Sequence, residues 1–187
     1  MAQYEVMFAG FGGQGIMTAG QLLAYTGIAE DKQVAWIPSY GPEMRGGTAY
    51  CTVVVSDSRI GSPIITNPRG LCVFNRPSFD KFEPRIKTGG IIVVNSSLIE
   101  VKSERDDLLK IYVDANDMAI KAGNAKAANI AMLGAFVGAT GAVSEKALLE
   151  TMKDKLARKK DVLAINEKVL AEGIKLGKEA AKQKVAV

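Results

Sequence analysis

Short, continuously apolar segments alternate with glycine-rich turns and helix-like stretches through the first 115 residues. Apolar segments without polar alternation are typical of strands buried on both faces of a parallel sheet. The pattern predicts strands over 5–9, 34–37, 49–56, 71–75, 91–95 and 111–113. Apolar residues at helical spacing predict a helix over 16–29, and a second, short helix is expected within 77–85.

The remainder of the chain has helical character. Helices are predicted over 125–139, 144–156 and 161–183, with Ser144 at the start of the second. The sequence therefore predicts an α/β fold: a Rossmann-like open sheet, mostly parallel, with helices on both faces and a helical C-terminal extension. We expect a single domain over 1–187, with a sheet core over about 3–115 and a helical part over about 116–187.

The turn after the first predicted strand has the sequence Gly-Phe-Gly-Gly-Gln-Gly and leads directly into a helix. Glycines allow the backbone to turn tightly and approach a ligand, and the helix N-terminus offers free N–H groups to a phosphate. A dinucleotide site also needs an acidic residue at the end of the second strand, where this chain has Pro38-Ser39. Two interpretations remain open, a different phosphate-bearing ligand and close helix–strand packing. The candidate binding residues here are Gly10, Gly12, Gly13, Gln14 and Gly15.

A second candidate segment follows the second predicted strand, over 39–47. Loops after strands in open α/β sheets are where ligands and partners bind, and this loop combines a proline with three glycines. Its arginine could meet a phosphate or carboxylate, contact a partner, or remain solvated. The candidate residues of this loop are Tyr40, Arg45, Gly46 and Gly47.

Composition excludes several kinds of active site. The 187 residues include no histidine and two cysteines, so His-dependent triads, His-ligated zinc and a four-cysteine iron–sulfur cluster are excluded within this chain. Cys51 and Cys72 lie in apolar stretches and are expected to be buried. We assign no catalytic and no metal-binding residue.

Charge and hydropathy indicate whether the protein binds nucleic acid, spans a membrane or is exported. A net charge of +4 without a concentrated basic stripe argues against nucleic-acid binding. The uncharged stretch 127–143 is rich in Ala and Gly and is expected to be a buried helix rather than a membrane span. The N-terminus lacks the basic region of a signal peptide, so a cytoplasmic location is expected.

Taken together, the motifs resemble the gamma subunit of the 2-oxoacid:ferredoxin (acceptor) oxidoreductases. The resemblance covers roughly 4–175 and is carried by the glycine turn together with the loop that reads Tyr-Gly-Pro-Glu-Met-Arg-Gly-Gly. Further matching pieces are Gly61-Ser62-Pro63-Ile64, Asn75-Arg76-Pro77-Ser78, Asp80-Lys81-Phe82, and Asn129 with Leu133-Gly134-Ala135.

The resemblance implies a role in the oxidative decarboxylation of a 2-oxoacid with coenzyme A to an acyl-CoA and CO2. It implies that thiamine diphosphate, Mg and the iron–sulfur clusters belong to partner chains, that is, alpha and beta subunits with or without a delta subunit, and that ferredoxin accepts the electrons. The gamma subunit would be non-catalytic, would help assembly and would contact coenzyme A. The small, unfused chain and the form of the loop favour the 2-oxoglutarate branch over the pyruvate branch. A free-standing nucleotide- or coenzyme A-binding module is the alternative.

Overall fold

The computed structural model describes residues 2–39, 48–156 and 160–185. Within them the strands are β1 (Gln3–Gly10), β2 (Gln33–Ser39), β3 (Ala49–Ser56), β4 (Gly70–Val73), β5 (Ile91–Asn95) and β6 (Leu109–Val113). The helices are α1 (Ile16–Ala29), α2 (Arg76–Phe82), α3 (Ala115–Ala122), α4 (Ala128–Thr140), α5 (Glu145–Leu156) and α6 (Lys160–Val185). Single 3-10 turns cover Glu83–Arg85 and Ala125–Ala127.

The strands form one open sheet in the order β2-β3-β1-β4-β5-β6. β1, β4, β5 and β6 pair in parallel, whereas β3 runs antiparallel to both of its neighbours, β1 and β2. The predicted open, mostly parallel α/β fold is confirmed. β3 is the exception: it lies between the two strands that flank α1, so that β1 and β2 are not neighbours.

Successive residues of a strand point to opposite faces, and this alternation divides the core into two layers. On one face Phe8 and Cys51 pack with α1, α4 and α6; on the other, Met7 and Leu71 pack with α2. Helices therefore cover both faces, as predicted. The first layer combines buried side chains of the sheet with those of the late helices, so these helices complete the core of the sheet.

Helices α4 and α6 pack against each other with an unusually short distance between their backbones. Gly134 and Gly138 of α4 face α6, and Gly173 and Gly177 of α6 face α4, each so close that a Cβ would collide with the opposing backbone. Both pairs have glycines four residues apart, which places them on one side of a helix. The late helices thus pack backbone against backbone, and α4 is buried over Ala128–Val137.

Several element boundaries agree with the sequence patterns and some do not. The α1, β3 and β5 bounds agree residue for residue with prediction, and the Ser144 hydroxyl accepts a hydrogen bond from the Ala147 amide at the start of α5. Pro38 does not stop β2, because β2 is an edge strand and its outer side needs no N–H donor. The pattern missed α3, which is eight residues long. No helix among the described residues is both long and apolar enough to cross a bilayer.

Candidate functional site: the glycine turn and its adjoining cavity

The glycine turn joins the end of β1 to the start of α1 at the carboxyl edge of the parallel strands. Gly13 and Gly15 have φ angles of 91° and 75°, in the left-handed region that side-chain-bearing residues avoid. Gly15 is also the residue that precedes the first helical residue, Ile16. These two glycines are required by the path of the backbone itself.

Two glycines of the turn are also required by packing. A Cβ on Gly10 would lie 2.6 Å from Gln14 Oε1 and 2.9 Å from the Phe74 Cβ, and a Cβ on Gly15 would lie 2.6 Å from Asn129 Nδ2. Asn129, on α4, donates a hydrogen bond to the Gly15 carbonyl at 3.1 Å. The close-packing interpretation therefore accounts for Gly10 and Gly15.

Gln14 holds the turn to the neighbouring strand. Its Oε1 accepts hydrogen bonds from the Phe11 amide at 2.6 Å and from Asn75 Nδ2 at 3.2 Å, and its Nε2 donates to the Phe74 carbonyl at 3.2 Å. Asn75 in turn accepts from the Ser78 amide and caps α2. Gln14 thus lies between the carboxyl ends of β1 and β4, and its side chain makes its hydrogen bonds to other groups of the protein.

The rest of the turn is open to solvent. Phe11, Gly12 and Gly13 are exposed, and a Cβ on Gly13 would meet nothing within 4 Å. At the start of α1 no side chain caps the helix, and its first turn contains no acidic residue. The first amides of a helix have no intrahelical partner and carry partial positive charge, so this end of α1 is suited to an anion.

A cavity of about 500 Å³ adjoins the turn, between the N-terminus of α4 and the facing ends of α5 and α6. Its described lining contains one charged side chain, Lys126, and no carboxylate. Its volume lies within the range of small-molecule sites. The lining residues are Gly13, Gly15, Thr18, Asn124, Lys126, Asn129, Ile130, Leu156, Val162 and Asn166.

Asn166 is the unusual member of this lining. It is 5% exposed, and its Oδ1 is buried without a hydrogen-bond partner among the described residues. A buried amide oxygen left unpaired costs free energy, and native structures seldom leave such groups without a partner. Asn166 therefore brings a buried, unpaired polar atom to the wall of this cavity.

Larger hollows lie elsewhere on the surface. One of about 680 Å³ separates α5 from α6 and has an apolar floor that includes Leu149 and Ile174. Lysines and glutamates surround that floor, and Lys178 pairs there with Glu145. No described residue of this groove has a buried polar side-chain atom without a hydrogen-bond partner, in contrast to Asn166 beside the glycine turn.

The second predicted binding segment cannot be placed. Tyr40, Arg45, Gly46 and Gly47 lie outside the described residues. At the edge of that segment, Thr48 accepts a hydrogen bond from Lys81 Nζ at 3.3 Å. The binding role predicted for the four residues of the loop stays a prediction.

The described groups do not form a redox or metal centre. Burial raises the pKa of Cys51 to about 12 and that of Cys72 well above its ordinary value, and both thiols are fully buried as predicted. Among the described residues no cluster of three or more His, Cys, Asp or Glu side chains is placed to hold a metal ion.

The strand order adds a second argument against a dinucleotide at this turn. Such a site takes its ribose-binding acid from the strand next to β1. Here β3 lies between β1 and β2, which places β2 roughly 10 Å from β1 across the sheet. β2 also ends in Pro38-Ser39 and offers no acid.

Comparison with known proteins identifies the family of this fold and turn. The family model described as pyruvate ferredoxin/flavodoxin oxidoreductase matches residues 5–176. The chain belongs to this family. The resemblance inferred from the motifs is thereby confirmed, and the matched residues extend from β1 into α6.

Among its relatives, the ketoisovalerate oxidoreductase subunit VorA of Methanothermobacter marburgensis is 38% identical over 91% of this chain and 36% of its own length. The chain thus spans about a third of the length of the two VorA relatives, 36% of one and 37% of the other. The 2-oxoglutarate synthase subunit KorC of Methanocaldococcus jannaschii is 34% identical over 87% of this chain and 90% of its own length.

A solved structure agrees with the fold. The gamma subunit of a keto/oxoacid ferredoxin oxidoreductase from Geobacter sulfurreducens superposes with a TM-score of 0.80 at 30% identity. The match covers 94% of this chain and 99% of that one. The sequence comparison and the structure comparison therefore each match a relative over nearly its whole length, and both relatives are subunits of such oxidoreductases.

The glycine turn is evident from its sequence motif, whereas most of the side chains that complete its cavity are not. Thr18, Asn124, Lys126 and Asn166 belong to α1, α6 and the segment before α4, and no local pattern marks them. Asn129 is the exception, since it belongs to the motif pieces that carry the resemblance. Its hydrogen bond to the Gly15 carbonyl connects the turn to α4.

Proposed function

We propose that this chain is the non-catalytic gamma subunit of a 2-oxoacid:ferredoxin oxidoreductase and that its glycine turn helps to position coenzyme A. The enzyme would oxidatively decarboxylate a 2-oxoacid with coenzyme A to an acyl-CoA and CO2. Thiamine diphosphate, Mg and iron–sulfur clusters, held by alpha and beta partners with or without a delta chain, would supply the chemistry of carbon–carbon cleavage and electron transfer to ferredoxin.

One observation supports the coenzyme A role above the others. Gly12 and Gly13 are exposed at an uncapped helix start, beside a cavity whose described lining has a lysine and no carboxylate. Phosphate groups are bound by such arrangements of free amides and a nearby cation. Packing accounts for Gly10 and Gly15, and the positive φ angles account for Gly13 and Gly15. The coenzyme A role is therefore supported by the exposed amides of the turn rather than by the need for glycine at these positions.

The side chains of this chain support a positioning role and no reaction step. Histidine is absent from the whole sequence, and its two thiols are buried with raised pKa values. In this proposal the acid–base and nucleophilic groups of the reaction belong to other chains. What this chain contributes is a fixed turn, held by Gln14 and Asn129, against which a ligand can be oriented.

For the 2-oxoacid itself we propose two candidates. The form of the loop over 39–47 favours 2-oxoglutarate, in agreement with the KorC relative. The higher identity to VorA, 38% against 34%, favours a branched-chain 2-oxoacid such as ketoisovalerate. Measuring the reduction of ferredoxin with each 2-oxoacid in turn would distinguish them.

Assembly is tested by co-expression with candidate alpha and beta chains. We expect the chains to purify together and to reduce ferredoxin only when a 2-oxoacid and coenzyme A are both present. A chain that remains alone would contradict the subunit assignment and favour a free-standing coenzyme A-binding module.

The turn is tested in the assembled enzyme with Gly12→Val, which adds a branched side chain at an exposed position of the turn. We expect the KM for coenzyme A to rise about tenfold, equal to a loss of about 1.4 kcal/mol, with the KM for the 2-oxoacid unchanged. The matched control is Gly61→Val at an open position in another loop. An unchanged KM for coenzyme A, together with defective assembly, would assign the turn to packing alone.

A further inference from the structure

The surface formed by α1 and β2 contains no charged side chain. Neither the 14 residues of α1 nor the 7 residues of β2 include Asp, Glu, Lys or Arg, although these types make up 24% of the whole chain. Tyr25 and Ile28 of α1 and Ile37 of β2 are nevertheless exposed, and Ile28 leaves 58% of its surface accessible. Solvent-facing surface that lacks charge and carries large apolar side chains is typical of a protein–protein interface.

Gln21 is the residue of α1 that lies beside the middle of β2. The preceding residue, Gly20, faces β2, since a Cβ on it would be 3.1 Å from Trp36 Nε1. Gln21 lies about 100° further around the helix and is exposed, whereas Ala19, about 100° in the other direction, is fully buried. Gln21 is therefore on the outer side of α1, next to the edge of the sheet.

β2 presents an unpaired backbone edge. Among the described residues its only strand neighbour is β3, and alternate residues of an antiparallel pair direct their N–H and C=O groups inward and outward. The alternation is fixed by the Phe74 amide, just after β4, which donates to the Ala9 carbonyl of β1. Followed through the β1–β3 and β3–β2 registers, it directs the backbone groups of Val34, Trp36 and Pro38 outward. Since proline has no N–H, the free edge offers two donors and three acceptors.

This edge is complementary to itself. In an antiparallel pair of two β2 strands centred on Trp36, the two Trp36 residues exchange both of their backbone hydrogen bonds. The Val34 N–H of each copy then donates to the Pro38 carbonyl of the other, so that every free N–H of both edges is paired. Identical surfaces carry identical charges, which repel one another, and the absence of charge from α1 and β2 removes this obstacle to self-pairing.

We propose that α1 and β2 form a two-fold interface between two copies of this chain, in which the β2 strands pair antiparallel and join the two six-stranded sheets into one. A two-fold axis perpendicular to the sheet places the same face of both copies on the same side, so the two α1 helices meet across the axis. Trp36 lies on the axis and Gln21 beside it. The occupant is a second copy because the pattern of free donors and acceptors matches itself.

The first experiment measures the mass of the full chain by sedimentation as a function of concentration. We expect a monomer–dimer equilibrium with a dissociation constant in the micromolar range, because one strand pair and one helix pair make a small interface. The fluorescence of Trp36, the single tryptophan of the chain, should change over the same concentrations, since it lies on the axis. A chain that stays monomeric up to about 200 μM would overturn the proposal.

Two variants of opposite charge at one exposed position test the two-fold axis. Gln21→Lys and Gln21→Glu each place like charges beside the axis, and each alone should weaken dimerisation at least about tenfold. An equimolar mixture of the two should dimerise again, because opposite charges then meet. Ile120→Lys, on exposed α3 beyond the other edge of the sheet, is the control and should dimerise as the unmodified chain does. Dimers that tolerate both charges, or that do not recover in the mixture, would place the contact elsewhere and overturn the proposal.

A third variant tests the strand edge. Ile37→Lys places a lysine on the pairing strand, which is a means by which natural edge strands avoid pairing, and it should abolish the dimer. Thermal unfolding verifies that this variant folds, and the Gln21 variants, at an exposed helix position, keep the test valid if it does not. If the chain alone is monomeric and Gln21→Lys instead prevents co-purification with a candidate alpha chain, the surface serves a different chain. The proposed self-association is then wrong, and the subunit assignment stands.

Discussion

Gly134 of α4 lies so close to α6 that a Cβ on it would be 2.7 Å from the carbonyl oxygen of Leu170. The relationship is mutual, since a Cβ on Gly173 or Gly177 of α6 would collide with the α4 backbone at Ala131 or Ala135. At these glycines the two backbones meet directly. This contact positions the start of α6, and with it Asn166, against the segment that presents Lys126.

The glycine contact predicts a steep stability cost for a single methyl group. Gly138→Ala places that methyl against the Ile174 backbone, and overpacking of this kind costs about 1–3 kcal/mol even though alanine favours helix. Urea unfolding measures the loss. Gly61→Ala, in open space, is the matched control and should change the free energy of unfolding by less than about 0.5 kcal/mol. Equal effects would mean that α4 and α6 do not pack this closely.

The two left-handed glycines of the turn should respond differently to alanine. Gly13→Ala adds a side chain in open space and should cost about 1 kcal/mol through backbone strain alone. Gly15→Ala adds the same strain and a clash with Asn129, and should cost at least about 2 kcal/mol. Denaturant unfolding of the two variants, compared side by side, measures the difference. A larger loss at Gly13 would contradict the described turn.

Glu30 links α1 to the start of α5 and makes stability depend on pH. Burial raises the pKa of Glu30, but the hydrogen bond from the Ser144 amide, 2.8 Å long, and the Lys32 ammonium lower it to a net value below the ordinary one. A carboxyl with a lowered pKa in the folded state stabilises the fold above its unfolded pKa. That contribution is lost as pH falls through the folded-state pKa.

We therefore expect Glu30→Gln to lower the free energy of unfolding by about 1 kcal/mol at pH 7. The difference from the unmodified chain should shrink towards zero on acidification below about pH 4. Chemical denaturation at several pH values gives both quantities. Glu150→Gln, at an exposed position of α5, is the control and should show no such trend. A difference that persists in acid would rule out an ionised role for Glu30.

The two thiols should be inert in the folded protein. Cys51 and Cys72 are fully buried, and burial raises both pKa values, to about 12 for Cys51. Thiol reagents attack the thiolate, so at pH 8 neither cysteine should react on the minute timescale. Both should react after unfolding in guanidinium, and absorbance of the released chromophore counts them. Rapid labelling of the native chain would show that the first core layer opens.

The elements that could be predicted from the sequence are those whose formation depends on neighbouring residues in the chain. The α1 helix was predicted from its own apolar spacing, and β5 from its uninterrupted apolar run. The place of β3 in the sheet was not predictable, because its pairing with β1 and β2 is a choice between distant partners that its own sequence does not encode. α3 was missed for a related reason: with Ala115 and Ala119 as its buried residues, its apolar face is too small to stand out.

The candidate site likewise has one part that could be predicted from the sequence and one part that could not. The glycine turn is one contiguous motif, so its conformation and helix start could be expected from sequence. Lys126 and Asn166 are forty residues apart and meet at the cavity only because α4 and α6 pack together. No spacing rule connects them. The packing glycines are likewise visible in the sequence, but their partners become evident only from the structure.

The insertion of β3 between β1 and β2 has a consequence for how the chain acquires its structure. Neither β1 nor β2 has a hydrogen-bonded neighbour within the segment that ends at Ser39. The partners of β1 are β3 and β4, the partner of β2 is β3, and both partner strands come later in the sequence. A nascent chain that has left the ribosome only as far as residue 39 therefore exposes two unpaired strand edges, a state prone to aggregation. Because β3 pairs with both β1 and β2, we expect this part of the sheet to form only after residues 49–56 have emerged.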